Sequence, residues 1–274
     1  MAGGGIGRSG GVGVAAWLVV ATASAHAAPF AVTLAPHRAV YEMRLHTARP
    51  GGDVTAASGE MTYSITNSCD GWTVETKTVM TFSYSEGPPV LTQWEQVSWE
   101  AKDGRRYRFR GRSLRDGVVS EEIVGTARRG GHKNHVRFTK PEDRILPLPQ
   151  DGLFPTEHTV RLLEAAQSDN RSLRRPVFDG SGGDTVFYVS GLIAASPTAP
   201  PPRSDLKAAA LLNSPAWRIQ LAYFPADSEE MIAENEVTER VHLNGVVDDV
   251  VQNYGSFTLH GTLKSLDSLP DPGC

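Results

Sequence analysis

The chain has 274 residues, 31 acidic against 27 basic, and a formal net charge of −4. That balance argues against non-specific nucleic-acid binding, which needs a basic surface to displace counterions from phosphates. The length suits one large all-β domain or two smaller ones.

Residues 1–27 read as a secretory signal peptide. Arg8 is the only charge there, Val12, Trp17, Leu18, Val19 and Val20 build a short apolar run, and Ala25-His26-Ala27 supplies an A-x-A cleavage site. The run falls short of the ~20 strongly apolar residues of a spanning helix. No cysteine follows it for lipid attachment, and nothing later is apolar enough to cross a bilayer. Cleavage leaves residues 28–274 with 26 basic and 31 acidic side chains, a net of −5, in an oxidising space where a disulfide persists.

The mature chain is dominated by strand patterns. Residues 40–46 make a first strand, and Met61, Tyr63 and Ile65 alternate with Glu60, Thr62 and Ser64 in the next. In 72–84, Trp72, Val74, Thr76, Thr78, Met80, Phe82 and Tyr84 share one parity, and Thr73, Glu75, Lys77, Thr81 and Ser83 share the other. A period of two with one wet face predicts an antiparallel sheet. Asp103-Gly104, Asp116-Gly117 and Asn244-Gly245 each sit between strand-like runs, as two-residue type I′ hairpin turns require.

If the first two turns are such loops, Arg112 faces Glu95 on one side and Glu121 on the other, Arg110 lies between Val97 and Ile123, and Arg108 faces Trp99. Arg106, Arg108, Arg110 and Arg112 then line one face. This stripe is either an anion-binding surface for lipid phosphates or another acidic component, or a solvated face of charge pairs each worth ~1 kcal/mol or less. By the same logic Arg240 pairs with Asp249 across the Asn244-Gly245 turn.

Two segments read as helix. In 154–166, Thr156 caps the first turn, Glu157 complements the dipole, and Val160, Leu163 and Ala166 share a face. Residues 204–212 make a second short helix, capped by Ser204 and ending before Pro215. Between them, 197–203 holds too many prolines for either regular structure and reads as a surface excursion.

Cys69 and Cys274 stand behind the leader, the second as the last residue. They are expected to form a disulfide, against two free thiols or an intermolecular bridge. Closing a loop of roughly 200 residues contributes about 5 kcal/mol in the chain-entropy model.

Motifs of chemistry are sparse. Residues 179–184 read as a structural turn before a strand at 185–190; Ser181 as a nucleophile would need an oriented histidine such as His158 or His132, and a carboxylate. His132 and His135 have ligand spacing, but no nearby cysteine or carboxylate completes four-coordination. Asp248-Asp249 and Glu229-Glu230 are adjacent acids that face opposite ways on a strand. Phosphate loops, dinucleotide fingerprints and zinc-protease helices do not occur, so no cofactor is expected.

The order of several short stretches resembles the EipB family of periplasmic cell-envelope-integrity proteins. They are Leu34-Ala35-Pro36-His37-Arg38-Ala39-Val40-Tyr41, Gly59-Glu60-Met61-Thr62-Tyr63, Cys69-Asp70-Gly71-Trp72, Phe154-Pro155-Thr156-Glu157-His158-Thr159, Phe178-Asp179-Gly180-Ser181, Trp217 with Tyr223-Phe224, Asn244-Gly245-Val246 and Tyr254-Gly255-Ser256-Phe257. The resemblance implies an open spiral or cup of long antiparallel strands with a few helices, and a disulfide between Cys69 and Cys274. It also implies support of envelope integrity alongside other periplasmic proteins, with no established catalysis. Together with the strand patterning, the resemblance implies a non-enzymatic all-β periplasmic protein that binds envelope proteins or another envelope component. The alternatives are a lipid or glycan carrier, whose concave pocket would be lined by the Trp72, Val74, Met80 and Phe82 parity, and a hydrolase.

Overall fold

The structure, a computed structural model, describes residue 1 and residues 31–274 apart from 132, 169, 182–184, 200–202 and 227–231. The expected leader lies outside the described residues. Eight strands run first: β1 (His37–Ala48), β2 (Val54–Asn67), β3 (Gly71–Tyr84), β4 (Val90–Ala101), β5 (Arg106–Arg115), β6 (Val118–Arg128), β7 (His135–Lys140) and β8 (Arg144–Pro147). Helix α1 (Pro155–Ala166) then leads to β9 (Ser172–Val177), β10 (Phe187–Ile193), β11 (Ala216–Pro225), β12 (Asn235–His242), β13 (Val247–Asn253) and β14 (Phe257–Ser268).

The fourteen strands form one antiparallel sheet ordered β8-β7-β6-β5-β4-β3-β2-β1-β14-β13-β12-β11-β10-β9. Two meanders are thus joined where β14 pairs with β1, from His37 opposite Ser268 to Ala48 opposite Phe257. The sheet is not closed: β8 and β9 are its two ends, and α1 crosses between them.

Period-two patterning decides which face turns inward. Tyr63, Thr76, Gln96 and Gly111 lie in one cross-strand row, and Ile65, Val74, Ser98 and Phe109 in the next. The 72–84 parity predicted to be apolar faces the interior. Small residues make room where the sheet curls: a Cβ on Gly111 would lie 2.8 Å from the Trp94 ring, and one on Gly125 would lie 2.6 Å from Phe109. Alternating small and large inner residues is how a tapering β interior is filled.

Three cores result. Leu162, Leu163 and Ala166 of α1 pack with Val189, Ile219 and Trp217 of the β9–β12 arm. Tyr41, Met43, Met80 and Leu263 pack beside Leu206 and Leu212 at the β1–β14 seam. Tyr107, Phe109, Phe138, Phe154 and Phe178 form an aromatic core on the other arm, with Tyr107 and Phe154 stacked at 5.0 Å.

Four local expectations are corrected. The N-cap of α1 is Phe154, with Pro155 in the first turn and no side-chain cap of its own; Glu100 of β4 supplies the cap instead, accepting from the backbone N–H of Thr156 (2.7 Å) and Glu157 (2.8 Å). Residues 204–212 form no α-helix but turns ending in a 3₁₀ helix at Ala209–Asn213, because Leu206, Ala208 and Leu212 are drawn individually into the seam core. Only Asp116-Gly117 has positive φ at both turn positions. At Asp103-Gly104 and Asn244-Gly245 only the glycine does, and its N–H closes a turn onto Ala101 or His242. Finally, β10 starts at Phe187, two residues later than expected. The described part of the 197–203 excursion is exposed through Ala199.

The Cys69–Cys274 disulfide is present, spanning 205 residues with Cα atoms 5.5 Å apart. Asn67 Nδ2 donates to Asp271 Oδ1 (2.9 Å), and Leu269 N–H to Pro36 O (3.0 Å). The tail is therefore laid along the ends of β1 and β2. The crosslink acts mainly on the unfolded chain, so Cys69→Ser and Cys274→Ser should each lower the melting temperature and the cellular level without stopping secretion, by at most about 5 kcal/mol. Melting curves that coincide with and without reductant would contradict this.

Candidate functional site

The inner face leaves a chamber between the cores. His37, Tyr63, Ile65, Val74, Thr76, Gln96, Ser98 and Tyr107 form its sheet wall, and Leu34, Pro155, Thr156, Thr159, Asp179 and the Asn244-Gly245 turn form the rest. Its volume is about 230 Å³, room for about seven waters at the ~30 Å³ each occupies in the liquid. The turn can approach because residue 245 is glycine, at φ +83° with Leu34 Cδ2 2.6 Å from where a Cβ would sit.

The wall carries polar groups without partners. His37 is 1 % exposed; its Nδ1–H donates to Ala35 O (2.7 Å), which makes Nε2 the acceptor, and Nε2 has no hydrogen bond. Burial pulls the His37 pKa down, so the ring is neutral. Gln96 Nε2 and the Tyr107 hydroxyl both donate to Asp179 O (2.7 Å each), which pins the 179–181 loop to the wall and leaves Gln96 Oε1 as an acceptor. The Asp179 carboxylate accepts from the Ser181 N–H (2.9 Å) and hydroxyl (2.7 Å).

Two acids face the interior. Glu100 is 3 % exposed, and burial pushes it up to about 7 against the two helix N–H bonds that favour its ionised form. Glu239, opposite Ile219 and Val250, has no hydrogen bond or ion pair among the described residues; enclosure within the spiral pushes it up to about 7, near Tyr41, Tyr63 and Tyr223. No motif pointed to either residue. Their one signal was position: each shares the inward parity of its strand.

The outer face carries the arginine stripe. Arg108, Arg110 and Arg112 face Trp99, Val97 and Glu95 as expected, and Arg112 pairs with Glu95 (2.8 Å), which Lys77 also reaches (2.9 Å). Across β6 the register is one residue off the expected one: Arg112 faces Glu122, not Glu121, and Arg110 faces Val124, not Ile123. A bulge between Ser113 and Leu114 causes the shift and turns Ile123 inward, where it is fully buried. Glu122 then pairs with Arg110 (2.9 Å) and Lys140 (2.6 Å). Arg106 and Arg108 lie over Trp99, at 5.3 and 4.4 Å from its ring centre. Arg106 faces Arg128 across the ladder.

Arg240 faces Asp249 as expected, but its ion pair goes to Asp248, at 2.7 and 2.8 Å. A bulge at Arg240/Val241 leaves Asp248 as the extra residue. Asp249 is taken by Arg218 (3.0 Å) and His260 (2.7 Å).

Ser181 is exposed, and its hydroxyl donates to Asp179 Oδ1. His158 is 5 % exposed and lowered to about 4 by burial and by Arg175, and its Nε2 bonds nothing. Among the described residues no hydrogen bond joins Ser181 to His158. His132 lies outside the described residues, and His135 bonds Lys133 O (3.1 Å). Among the described residues no three of His, Cys, Asp and Glu converge on a metal site.

A raised acid has a definite pH consequence. The unfolded chain ionises Glu239 above its ordinary value near 4.5, while the folded chain holds the proton to about pH 7, so stability falls as pH rises through that window. Glu239→Gln removes this dependence. The variant should melt with the wild type near pH 4 and several degrees above it at pH 8, a change on the order of 3 kcal/mol. A difference that does not change with pH would refute the assignment, since Glu100 contributes equally to both proteins.

Comparison with known proteins agrees with this architecture. The family profile described as EipB-like matches residues 28–270. The cell envelope integrity protein EipB of Brucella abortus (strain 2308) is 26 % identical over 247 residues, 89 % of this chain and 88 % of that protein. The crystal structure of a beta-barrel-like protein of the domain of unknown function DUF1849 from Brucella abortus superposes with a TM-score of 0.81 at 26 % identity, over 88 % of this chain and all of that one. The chain belongs to the EipB-like family.

Proposed function

We propose that this protein supports cell-envelope integrity from the periplasm as a non-catalytic binding protein that holds an envelope component in the chamber of its spiral. The relationship to an envelope integrity protein, the leader-like residues 1–27 and a disulfide that persists only outside a reducing cytosol support the compartment. Among the described residues no helix is long and apolar enough to cross a membrane. The carrying observation is the chamber itself, a hollow on the inner face where the polar side chains of Thr76, Gln96 and Ser98 stand beside Ile65 and Val74. Convergent polar groups in a concave pocket mark a binding site.

The geometry disfavours a lipid carrier. Val74 lines the chamber, but Met80 and Phe82 of the same parity are packed into the seam core and Trp72 against the α1 core. The remaining 230 Å³ is below the ~300–1,000 Å³ of pockets for drug-sized ligands. A hydrolase finds no support, since the Ser181 hydroxyl donates to Asp179 and no hydrogen bond joins it to His158 among the described residues.

Filling the chamber tests the reading. Thr76→Leu should leave the melting temperature within a few degrees, yet fail to rescue the envelope-stress sensitivity of a deletion strain, while Ser181→Ala rescues fully. Full rescue by Thr76→Leu would remove the chamber from the function.

The outer face supports a second contact, with an acidic envelope component. Like charges directly opposed on a sheet are destabilising, and Arg106 and Arg128 are so placed beside Arg108, with no ion pair to any of the three among the described residues. The paired Arg110 and Arg112 contribute less. Wild-type protein should sediment with phosphatidylglycerol vesicles at low salt and release as the Debye length shortens, and Arg106→Glu with Arg128→Glu should abolish it. Equal sedimentation of the double variant would end this reading.

A further inference from the structure

The chamber's chemistry narrows its ligand, and this step rests on the chamber-binding reading above. We propose that the chamber takes a neutral, hydroxyl-rich ring, one sugar residue of an envelope glycan.

Charge excludes the first alternative. Among the described residues no lysine or arginine lines the chamber, His37 is held neutral by burial, and the lining carboxylate of Asp179 accepts from Ser181. A phosphate or carboxylate would enter with no counter-charge, and burying an unpaired ion is strongly unfavourable. Polarity excludes the second. An acyl chain would leave Gln96 Oε1, whose amide nitrogen is already used on Asp179 O, without a donor beside the Thr76 and Ser98 hydroxyls, and covering an acceptor without a donor is costly. A hydroxyl group of a ligand is the donor that this acceptor lacks.

The walls fit the remaining part of such a ring. Leu34, Ile65 and Val74 supply apolar surface, and Tyr63 supplies an aromatic side chain. A pyranose has a C–H face for such surfaces and an edge of hydroxyls, the mixed character that the wall presents. The volume of about 230 Å³ admits one ring. The first turn of α1 and the Asn244-Gly245 turn flank the chamber, so the rest of a glycan would leave between them.

Saturation-transfer NMR on the mature chain tests this with four probes: N-acetylglucosamine, its linear trimer, octanoate and inorganic phosphate. Saturable transfer to the sugar ring protons is expected, with affinity reduced at least tenfold by Thr76→Val and by Gln96→Leu at unchanged melting temperature. Tighter binding of the trimer identifies a glycan chain as the source; equal binding identifies a free sugar. Octanoate or phosphate binding in place of the sugars would overturn the ligand class while leaving the chamber reading intact. Absence of sugar binding, or sugar binding indifferent to both substitutions, would also overturn the inference. Failure of the chamber reading itself shows separately, as rescue by Thr76→Leu.

Discussion

The pairing of β1 with β14 is the constraint on which the rest depends. Every other strand pair joins sequence neighbours, whereas this one brings residue 37 against residue 268. Without it the chain is two meanders, one of eight strands and one of six, each with an additional unpaired edge. With it, the inner faces of both turn toward a common interior, and Tyr41 of β1 donates to Val247 O at 2.7 Å. The disulfide secures the same junction from outside, since Cys69 ends the β2 side and Cys274 ends the tail that follows β14. Contacts of such long sequence separation carry a large loop-closure cost, which is where a crosslink acting on the unfolded chain is most effective.

Much of this was legible in the residues because a strand's two faces have different chemistry. The parity of 72–84 names the interior side of β3, and the β4–β5 register follows from a single turn. What escaped were features set by the third dimension. A bulge adds one residue without a sequence signature: one moved Glu121 out of line with Arg112, and the other left Asp249 opposite Arg240 but inserted Asp248, which takes the ion pair. Each answers a burial demand: one turns Ile123 into the core, and the other places Asp248 beside the fully buried His242, 3.3 Å away. Turn type escaped similarly, because a glycine serves both a two-residue loop and a longer one.

The cap of α1 shows the same limit from another side. Thr156 is a good capping residue read locally, but Pro155 before it and the packing of Phe154 into the aromatic core set the N-cap two residues earlier. A carboxylate from a strand more than 50 residues upstream then satisfies the exposed N–H groups. The helix is thereby tied to β4 at its first turn and to the β9–β12 core along its apolar side. That double attachment positions Pro155, Thr156 and Thr159 over the chamber. The site's roof is thus a product of tertiary contacts, whereas its floor is a product of strand periodicity.

The hollow itself is the final point. Inner positions on either side of it hold Met80, Phe82 and Phe109, all packed, while the rows through the chamber hold Thr76, Gln96 and Ser98. These side chains suit a pleated strand but cannot fill the space. Apolar residues there would extend a core that already surrounds the chamber, and burial of that kind stabilises by about 25 cal/mol per Å². A sequence selected for stability alone would close this gap. Keeping small polar groups at its centre forgoes that stabilisation, the pattern seen where a fold gives up packing for a site.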